Sequence, residues 1–188
     1  MSLWTAVRAG DLAEVQRLLA AGAEIEACDY GTLTPLQWAC YDDHLEVVRE
    51  LLSGGAKIDA RDNLNATSLH FASIRGHAEV VAELLSGGAS IDARDNMGST
   101  PLHFASKNGH SEIVSELILR GAELDVRNDK GSTPLHFACT FGHPEIVLEL
   151  ILAGASRTSE NDDGKTPAEL TNDPELRALF IPMVKGAC

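Results

Sequence analysis

The seven histidines are the first candidates for chemistry, because histidine can transfer protons near neutral pH and bind metal ions. All seven fall into two sets in which successive members are 33 residues apart: His70, His103 and His136, and His44, His77, His110 and His143. A catalytic or metal site needs one constellation, whereas this spacing places the same residue in copy after copy. No CxxC or HExxH spacing, nucleophile elbow, GxGxxG or P-loop occurs. The sequence therefore predicts no catalytic residue, no metal site and no cofactor.

The carboxylates could also do acid–base chemistry, but they recur with the same interval. Three columns are visible, namely Glu46, Glu79, Glu112 and Glu145; Glu50, Glu83, Glu116 and Glu149; and Glu26, Asp59, Asp92 and Asp125. The first two columns are four residues apart on a predicted helix, so like charges are neighbours at modest cost. A solvated acidic surface that favours solubility is the interpretation of these columns.

Composition excludes several classes of partner. The 188-residue chain has 28 acidic and 15 basic residues and a net charge of −13, which argues against nucleic acid or an anionic membrane. The four cysteines have no paired spacing, and no apolar run has the length of a membrane span or a secretory signal. The expectation is reduced thiols in a cytoplasmic protein, or a nuclear one.

The repeat is what must position these side chains. Two markers recur every 33 residues, namely five Gly-Ala pairs and Thr34, Thr67, Thr100, Thr133 and Thr166. The segments DNMGSTPLHFASKNGHSEIVSELILRGAELD and DKGSTPLHFACTFGHPEIVLELILAGAS resemble the ankyrin repeat. The resemblance implies an all-α ankyrin-repeat solenoid, in which antiparallel helix pairs stack and β-hairpin or turn fingers project. It also implies that the histidines of TPLH hydrogen-bond between adjacent repeats.

The predicted organisation is one domain over residues 1–188. Its five repeats cover about 1–31, 32–64, 65–97, 98–130 and 131–163, and a C-terminal capping half repeat covers 164–188. The cap is expected to hold a polar helix and an apolar tail from Phe180 to Val184, which either packs on the stack or begins a segment that is removed.

Local signals agree with this organisation. Each TPLH threonine is expected to cap a first helix, with proline at its first position. Glycines at 10, 76, 109 and 142 are expected to end these helices in the left-handed conformation. Asp43 replaces the corresponding glycine in the second repeat, and Asn65 replaces the glycine of a finger. Such departures often mark functional sites, so binding is predicted to centre on the second and third repeats.

Positions that change between repeats are the candidates for partner binding, since the resemblance implies that they line a concave groove. They are Tyr30, Leu33, Tyr41 and Asp42 in the second repeat; Arg61, Asn63, Leu64, Ile74 and Arg75 in the third; Arg94, Asn96, Met97, Lys107 and Asn108 in the fourth; and Arg127, Asp129, Lys130, Thr140 and Phe141 in the fifth.

Within this set, five apolar side chains are predicted hot spots, and six basic ones predict a neutral to basic groove for an acidic and hydrophobic partner. The hot spots are Tyr41, Leu64, Ile74, Met97 and Phe141. Two alternatives stay open: the finger arginines pair with an aspartate of the same finger, or Tyr41 and Phe141 pack on adjacent helices. The aromatic column after the TPLH histidine is predicted to be core and is left out, namely Trp38, Phe71, Phe104 and Phe137.

The function predicted from this pattern is a monomeric protein–protein interaction scaffold that binds a partner protein or peptide through its groove. One alternative is the targeting or regulatory module of a larger protein whose catalytic part lies outside this chain. A remote alternative is an enzyme, for which no constellation of residues was found.

Overall fold

The computed structural model describes residues 2–28 and 33–180, and these residues contain helices and turns but no strand. The helices are α1 (Leu3–Arg8), α2 (Leu12–Ala20), α3 (Pro35–Tyr41), α4 (Leu45–Ser53), α5 (Ser68–Arg75), α6 (Ala78–Ser86), α7 (Pro101–Asn108), α8 (Ser111–Leu119), α9 (Pro134–Phe141), α10 (Pro144–Ala153), a 3₁₀ helix (Pro167–Glu169) and α11 (Pro174–Ala178). The all-α prediction is confirmed.

The chain divides into two compact units, which end and begin at Pro101 and Leu102. In unit 1 the odd-numbered helices α1, α3 and α5 pack side by side, and so do the even-numbered α2, α4 and α6. In unit 2, α8 packs against α10, α9 against α10 and the 3₁₀ helix, and α11 against the 3₁₀ helix. Each odd-numbered helix up to α9 forms a pair with the next one through a turn of two or three residues. The single domain over 1–188 stays a prediction.

The first helices begin where the threonines predict. Thr34, Thr67 and Thr133 are N-caps with an extended backbone, and at Thr34 the side-chain oxygen accepts the Gln37 N–H at 3.3 Å. Proline is the first residue of α3, α7 and α9, where its missing N–H removes no helical hydrogen bond.

The first helices end in a left-handed residue. Gly10, Gly76, Gly109 and Gly142 all have positive φ, and Asp43 takes the same conformation at φ 62°. Gly10 and Gly109 are also close to a histidine of the following repeat, whose ring would lie less than 3 Å from an added Cβ. Both the conformation and the space therefore favour glycine there.

The fingers are turns built on one recurring side chain. Asp62 Oδ1 accepts the N–H groups of Leu64 and Ala66 at 2.8 Å, and the same pattern recurs at Asp95, Asn128 and Asn161. Asn65 completes its finger at φ 59°, where the later fingers have glycine. The fingers were predicted to be either β-hairpins or turns. Among the described residues they are turns.

The apolar core of each unit is built by the buried faces of its helices. Val47, Val48 and Leu51 of α4 are buried, whereas Leu52 is half-buried, so of these two adjacent leucines only Leu51 faces the core. In unit 2 the largest fully buried side chains are leucine and isoleucine: Leu102, Ile113, Leu117, Leu135, Ile146, Leu150 and Leu176. Burial of each such side chain stabilises the folded chain by about 1.5–3 kcal/mol.

The predicted C-terminal cap contains the 3₁₀ helix and α11, with Leu176 buried beneath them. Phe180 is half-buried, and the rest of the predicted apolar tail lies outside the described residues.

Candidate functional site

The TPLH histidines join adjacent repeats, as the resemblance implied. His70 is fully buried; its Nδ1 accepts the Thr67 N–H at 3.1 Å and its Nε2–H donates to the Ser99 carbonyl at 3.2 Å. His136 makes the equivalent bonds to Thr133 and Lys165 at 3.1 Å each. Burial lowers the pKa of both imidazoles. The two bonds hold the neutral ring as one fixed tautomer, so this column belongs to the scaffold.

The second histidine column is also structural. The Nε2–H groups of His44, His77 and His143 lie 3.2, 3.0 and 3.0 Å from the carbonyl oxygens at the ends of α1, α3 and α7. Each satisfies a helix C-terminus of the preceding repeat. No bonding partner was predicted for this column, although its 33-residue interval already indicated a structural role.

The carboxylate columns divide into two kinds. Arg49 forms salt bridges with Glu46 and Glu83 on the surface, in agreement with a solvated acidic surface. The third column differs, because Asp59 accepts the Ser90 N–H at 3.0 Å and Asp125 accepts the Ser156 N–H at 2.8 Å. This third column is therefore not only part of the solvated surface, because it also binds the backbone of the next repeat.

An aromatic row crosses unit 1. The rings of Trp38 and Tyr41, on α3, meet edge to face with centroids 5.8 Å apart, and Tyr41 meets Phe71, on α5, in the same way at 6.1 Å. All three side chains are half-buried. The prediction that Trp38 and Phe71 are core is wrong, because both rings keep part of their surface open to solvent.

Two arginines complete this row. The Arg8 guanidinium carbon lies 4.2 Å from the Trp38 ring centroid, and that of Arg75 lies 4.7 Å from the Tyr41 centroid. Both arginines are exposed and end a first helix, where a positive charge is favourable. We call Arg8, Trp38, Tyr41, Phe71 and Arg75 the aromatic–arginine surface.

Other predicted residues of the second and third repeats have varied positions. Leu33 and Asp42 are half-buried, and Asp42 is the C-cap of α3. Ile74 is half-buried too. Tyr30 lies outside the described residues.

The finger tips of unit 1 are apolar and cross-linked. Leu64 is 60% exposed and Met97 is 53% exposed, in agreement with their predicted exposure. The Asn96 N–H donates to the Leu64 carbonyl, and the Asn96 side chain donates to the Asn63 carbonyl. Arg61 donates to the Asn65 and Arg94 carbonyls at 2.9 and 2.8 Å. Its guanidinium thus holds two fingers together, instead of pairing with an aspartate of its own finger.

Unit 2 has its own, weaker version of the aromatic row. Phe141 is 48% exposed and stacks on Phe137 at 6.3 Å, and the Lys107 ammonium lies 5.4 Å from the Phe141 centroid. Phe104 and Phe137 are half-buried, so their assignment to the core is wrong as well.

The remaining predicted residues of unit 2 are exposed, but some are occupied within it. Asn108 donates to the Phe104 carbonyl of its own helix, and Arg127 pairs with Asp162 of the next finger at 3.2 Å. Asp129, Lys130 and Thr140 are exposed at the surface.

Neither Arg8 nor the aromatic column was among the predicted binding residues, although helical spacing and the 33-residue interval place both on this surface. Trp38 precedes Tyr41 by three residues, and Phe71 precedes Arg75 by four, so each pair lies on one helix face. Arg8 stands 33 residues before Tyr41, in the same column of the repeat. The signal was set aside because aromatic residues usually belong to the core.

A second apolar area lies on α8 and α10 of unit 2. Leu119 and Leu152, one repeat apart, are 80% and 76% exposed, and Leu148 is partly exposed on the same helix as Leu152. Leu148 also lines a shallow groove with Leu176 and Leu179.

Two features of residues 2–28 and 33–180 concern metal binding and membrane insertion. These residues contain no group of three or more His, Cys, Asp or Glu side chains placed to hold a metal ion. Among their helices, none combines the length and apolarity of a transmembrane span.

Comparison with known proteins agrees with the repeat geometry. A family model described as ankyrin repeats in three copies matches residues 3–95, 55–128 and 81–162. No curated protein matches the sequence.

Proposed function

Because this chain belongs to the ankyrin-repeat family, whose members are generally protein–protein interaction modules, we propose that it binds a partner protein or peptide through the aromatic–arginine surface of unit 1. The family relationship supports a role in protein binding. The choice of surface rests on the contacts and partial exposure of its aromatic rings and on the two arginines over them.

The observation that carries the proposal is the half-buried aromatic row with two arginines over it. Interfaces concentrate their binding energy in Trp, Tyr and Arg side chains that lose water on association. Trp38 and Tyr41 are preorganised by their edge-to-face contact, and Arg8 and Arg75 are held on their rings. These side chains therefore lose little conformational entropy when a partner binds this surface.

Charge supports an acidic and hydrophobic partner. The chain carries a net charge of −13, yet two guanidinium groups lie over this surface. Long-range repulsion by the remaining charge is screened beyond about 8 Å at physiological ionic strength. The local positive charge therefore decides which partners fit.

The apolar finger tips Leu64 and Met97 extend the proposed binding region of unit 1. Interfaces combine an apolar centre with a polar rim. The exposed asparagines beside these tips, Asn63 and Asn96, supply such a rim.

The test is affinity capture followed by binding measurements with the purified partner. We expect Tyr41→Ala combined with Ile74→Ala to weaken binding at least about tenfold, since truncating a hot spot costs about 2 kcal/mol or more. The matched control is Leu119→Ala combined with Leu152→Ala, which removes two exposed apolar side chains from unit 2. Equal affinity of both double variants, with folding intact by circular dichroism, would show that this surface is not the binding site.

We propose further that the protein is a monomeric binding module without catalytic activity. Six of the seven histidines, the side chains that could transfer protons, bond to carbonyl oxygens of an adjacent repeat, which supports this. Light scattering after gel filtration tests the monomer.

We also propose a reducing compartment, the cytosol or nucleus. The three cysteines among the described residues, Cys28, Cys40 and Cys139, are free thiols. Imaging of a fluorescent fusion tests this location.

A further inference from the structure

We infer that the aromatic–arginine surface recognises an extended segment in which two carboxylates, four residues apart, flank an apolar side chain. This inference rests on the proposed binding role and specifies the partner's chemistry.

The two arginines are free to accept a partner's carboxylates. Arg17, Arg49 and Arg120 are held by glutamates of their own helices. By contrast, neither Arg8 nor Arg75 forms a salt bridge with a carboxylate among residues 2–28 and 33–180.

Stacking on the rings fixes how these arginines meet a partner. A guanidinium that lies on an aromatic face keeps its N–H edge available, and that edge matches a carboxylate bidentately. A lysine ammonium cannot reproduce this geometry. The surface therefore selects planar anions through arginine specifically.

The same stacking excludes cationic partners. One face of Trp38 and one face of Tyr41 are covered by the protein's own guanidinium groups. A partner's lysine or methylated lysine would need such a face and would be repelled by the two arginines. Carboxylates are the groups left by this argument.

The distances set an upper limit on the spacing of the carboxylates. The steps from Arg8 to Trp38, from Trp38 to Tyr41 and from Tyr41 to Arg75 are 4.2, 5.8 and 4.7 Å. The two guanidinium carbons therefore lie at most about 15 Å apart, so the two carboxylates of an extended segment are at most about four residues apart at roughly 3.3–3.6 Å each.

An extended chain also fixes what lies between the acids. Its side chains alternate, so the first, third and fifth residues of such a segment point to one side. With the acids at the first and fifth positions, the third faces the row between the arginines. Trp38 and Tyr41 meet there, and an apolar side chain at the third position would cover their half-buried rings.

The experiment measures binding of synthetic peptides to the full chain by fluorescence anisotropy at about 0.15 M salt, where the Debye length is about 8 Å. The probe is an end-capped nine-residue peptide with glutamates at its third and seventh positions, leucine at its fifth, and serine or threonine elsewhere. One comparison peptide places the two glutamates side by side, and another replaces both by glutamine.

Four variants separate arginine geometry from charge. Arg8→Gln and Arg75→Gln remove one guanidinium each, and Arg8→Lys and Arg75→Lys retain the charge without the planar fork. Arg157→Gln is the control, because Arg157 is an exposed arginine of unit 2 and its loss changes the net charge equally. Circular dichroism establishes that every variant is folded.

We expect the spaced peptide to bind at least about tenfold more tightly than either comparison peptide. Each glutamine or lysine variant should weaken it by about three- to tenfold, as for a charge-assisted hydrogen bond at a partly exposed site. Arg157→Gln should change the affinity less than about twofold.

Three results would overturn the inference: equal affinity for spaced and adjacent glutamates, lysine variants that bind as tightly as the parent, or no binding of the spaced peptide. Any of these, combined with a captured partner whose binding depends on Tyr41, would leave the proposed function standing. If capture is also insensitive to Tyr41→Ala with Ile74→Ala, both proposals fail.

Discussion

Replacing His70 by leucine or by glutamine tests the bonds that join repeats in unit 1. His70 is fully buried and bridges the Thr67 N–H to the Ser99 carbonyl at 3.1 and 3.2 Å. His70→Leu keeps most of the ring's volume, but it leaves the buried Thr67 N–H unpaired and removes one of the two hydrogen bonds that the Ser99 carbonyl accepts, the other coming from the Asp95 N–H at 3.0 Å. The unpaired N–H costs about 1–3 kcal/mol and the lost carbonyl bond about 1 kcal/mol, so the expected loss of unfolding free energy is about 3 kcal/mol.

Glutamine is the matched substitution, because the second repeat already carries it in this column. Gln37 accepts the Thr34 N–H at 2.8 Å and donates to the Ala60 and Ala66 carbonyls at 3.0 and 3.1 Å. His70→Gln can make both bonds, and we expect it to cost less than about 1 kcal/mol.

Thermal and urea unfolding at pH 8 measure both variants. For a chain of 188 residues, about 3 kcal/mol corresponds to a melting temperature lower by roughly 6–12 °C. A leucine variant within about 1 kcal/mol of the parent protein, or a glutamine variant as unstable as the leucine one, would refute the role assigned to these bonds.

The same side chain gives a pH dependence whose sign follows from its environment. Burial lowers the pKa of His70 in the folded chain, whereas in the unfolded chain it titrates near 6.5. The unfolded state therefore binds the proton first as the pH falls. The stabilisation is fully present above about pH 6.5 and is lost as the pH falls through the folded-state pKa. The glutamine variant should show less of this decline.

Three further outcomes are expected. Asp43→Gly should raise the unfolding free energy at pH 8 by about 0.5–1 kcal/mol, since Asp43 holds φ 62°; a loss would show that its side chain matters more than this conformation. Asp59→Ala should lower it by about 1 kcal/mol through loss of the 3.0 Å bond from the Ser90 N–H, measured by urea unfolding; no change would return this column to the solvated surface. In a Cys188→Ser variant, a thiol reagent at pH 8 should label one cysteine quickly and two only on unfolding. The fast cysteine is the exposed Cys28, and the slow ones are the buried Cys40 and Cys139. Burial raises the pKa of both slow thiols, that of Cys139 to about 12. Three fast thiols would contradict this burial.

The helices could be predicted closely because their signals are local. A threonine cap, a proline at the first helical position and a left-handed residue at the end act within a few residues of chain. Even the departures were readable, because Asp43 and Asn65 have φ of 62° and 59° where glycine was expected. Each tolerates this conformation better than other residues with a Cβ.

The candidate site could be predicted only in part. Leu64, Met97 and Phe141 are exposed as predicted, because positions outside the recurring pattern need not face a core. Trp38 and Phe71 were assigned to the core on their residue type, and burial depends on which face of a helix its neighbours cover. Arg61 was expected to bind a partner, yet its guanidinium is used by two carbonyls of the fingers.

The sequence by itself showed the repeat through its 33-residue period and indicated the family through segments that resemble the ankyrin repeat. It also determined the helix pairs and the structural nature of the TPLH histidines, because a repeated unit makes the same contacts in each copy. Only the tertiary structure decided which aromatic rings stay half-buried and which arginines lie over them. Those contacts join residues of different repeats, such as Arg8 with Trp38 and Tyr41 with Arg75. They depend on how neighbouring helices pack, which no spacing within one repeat specifies.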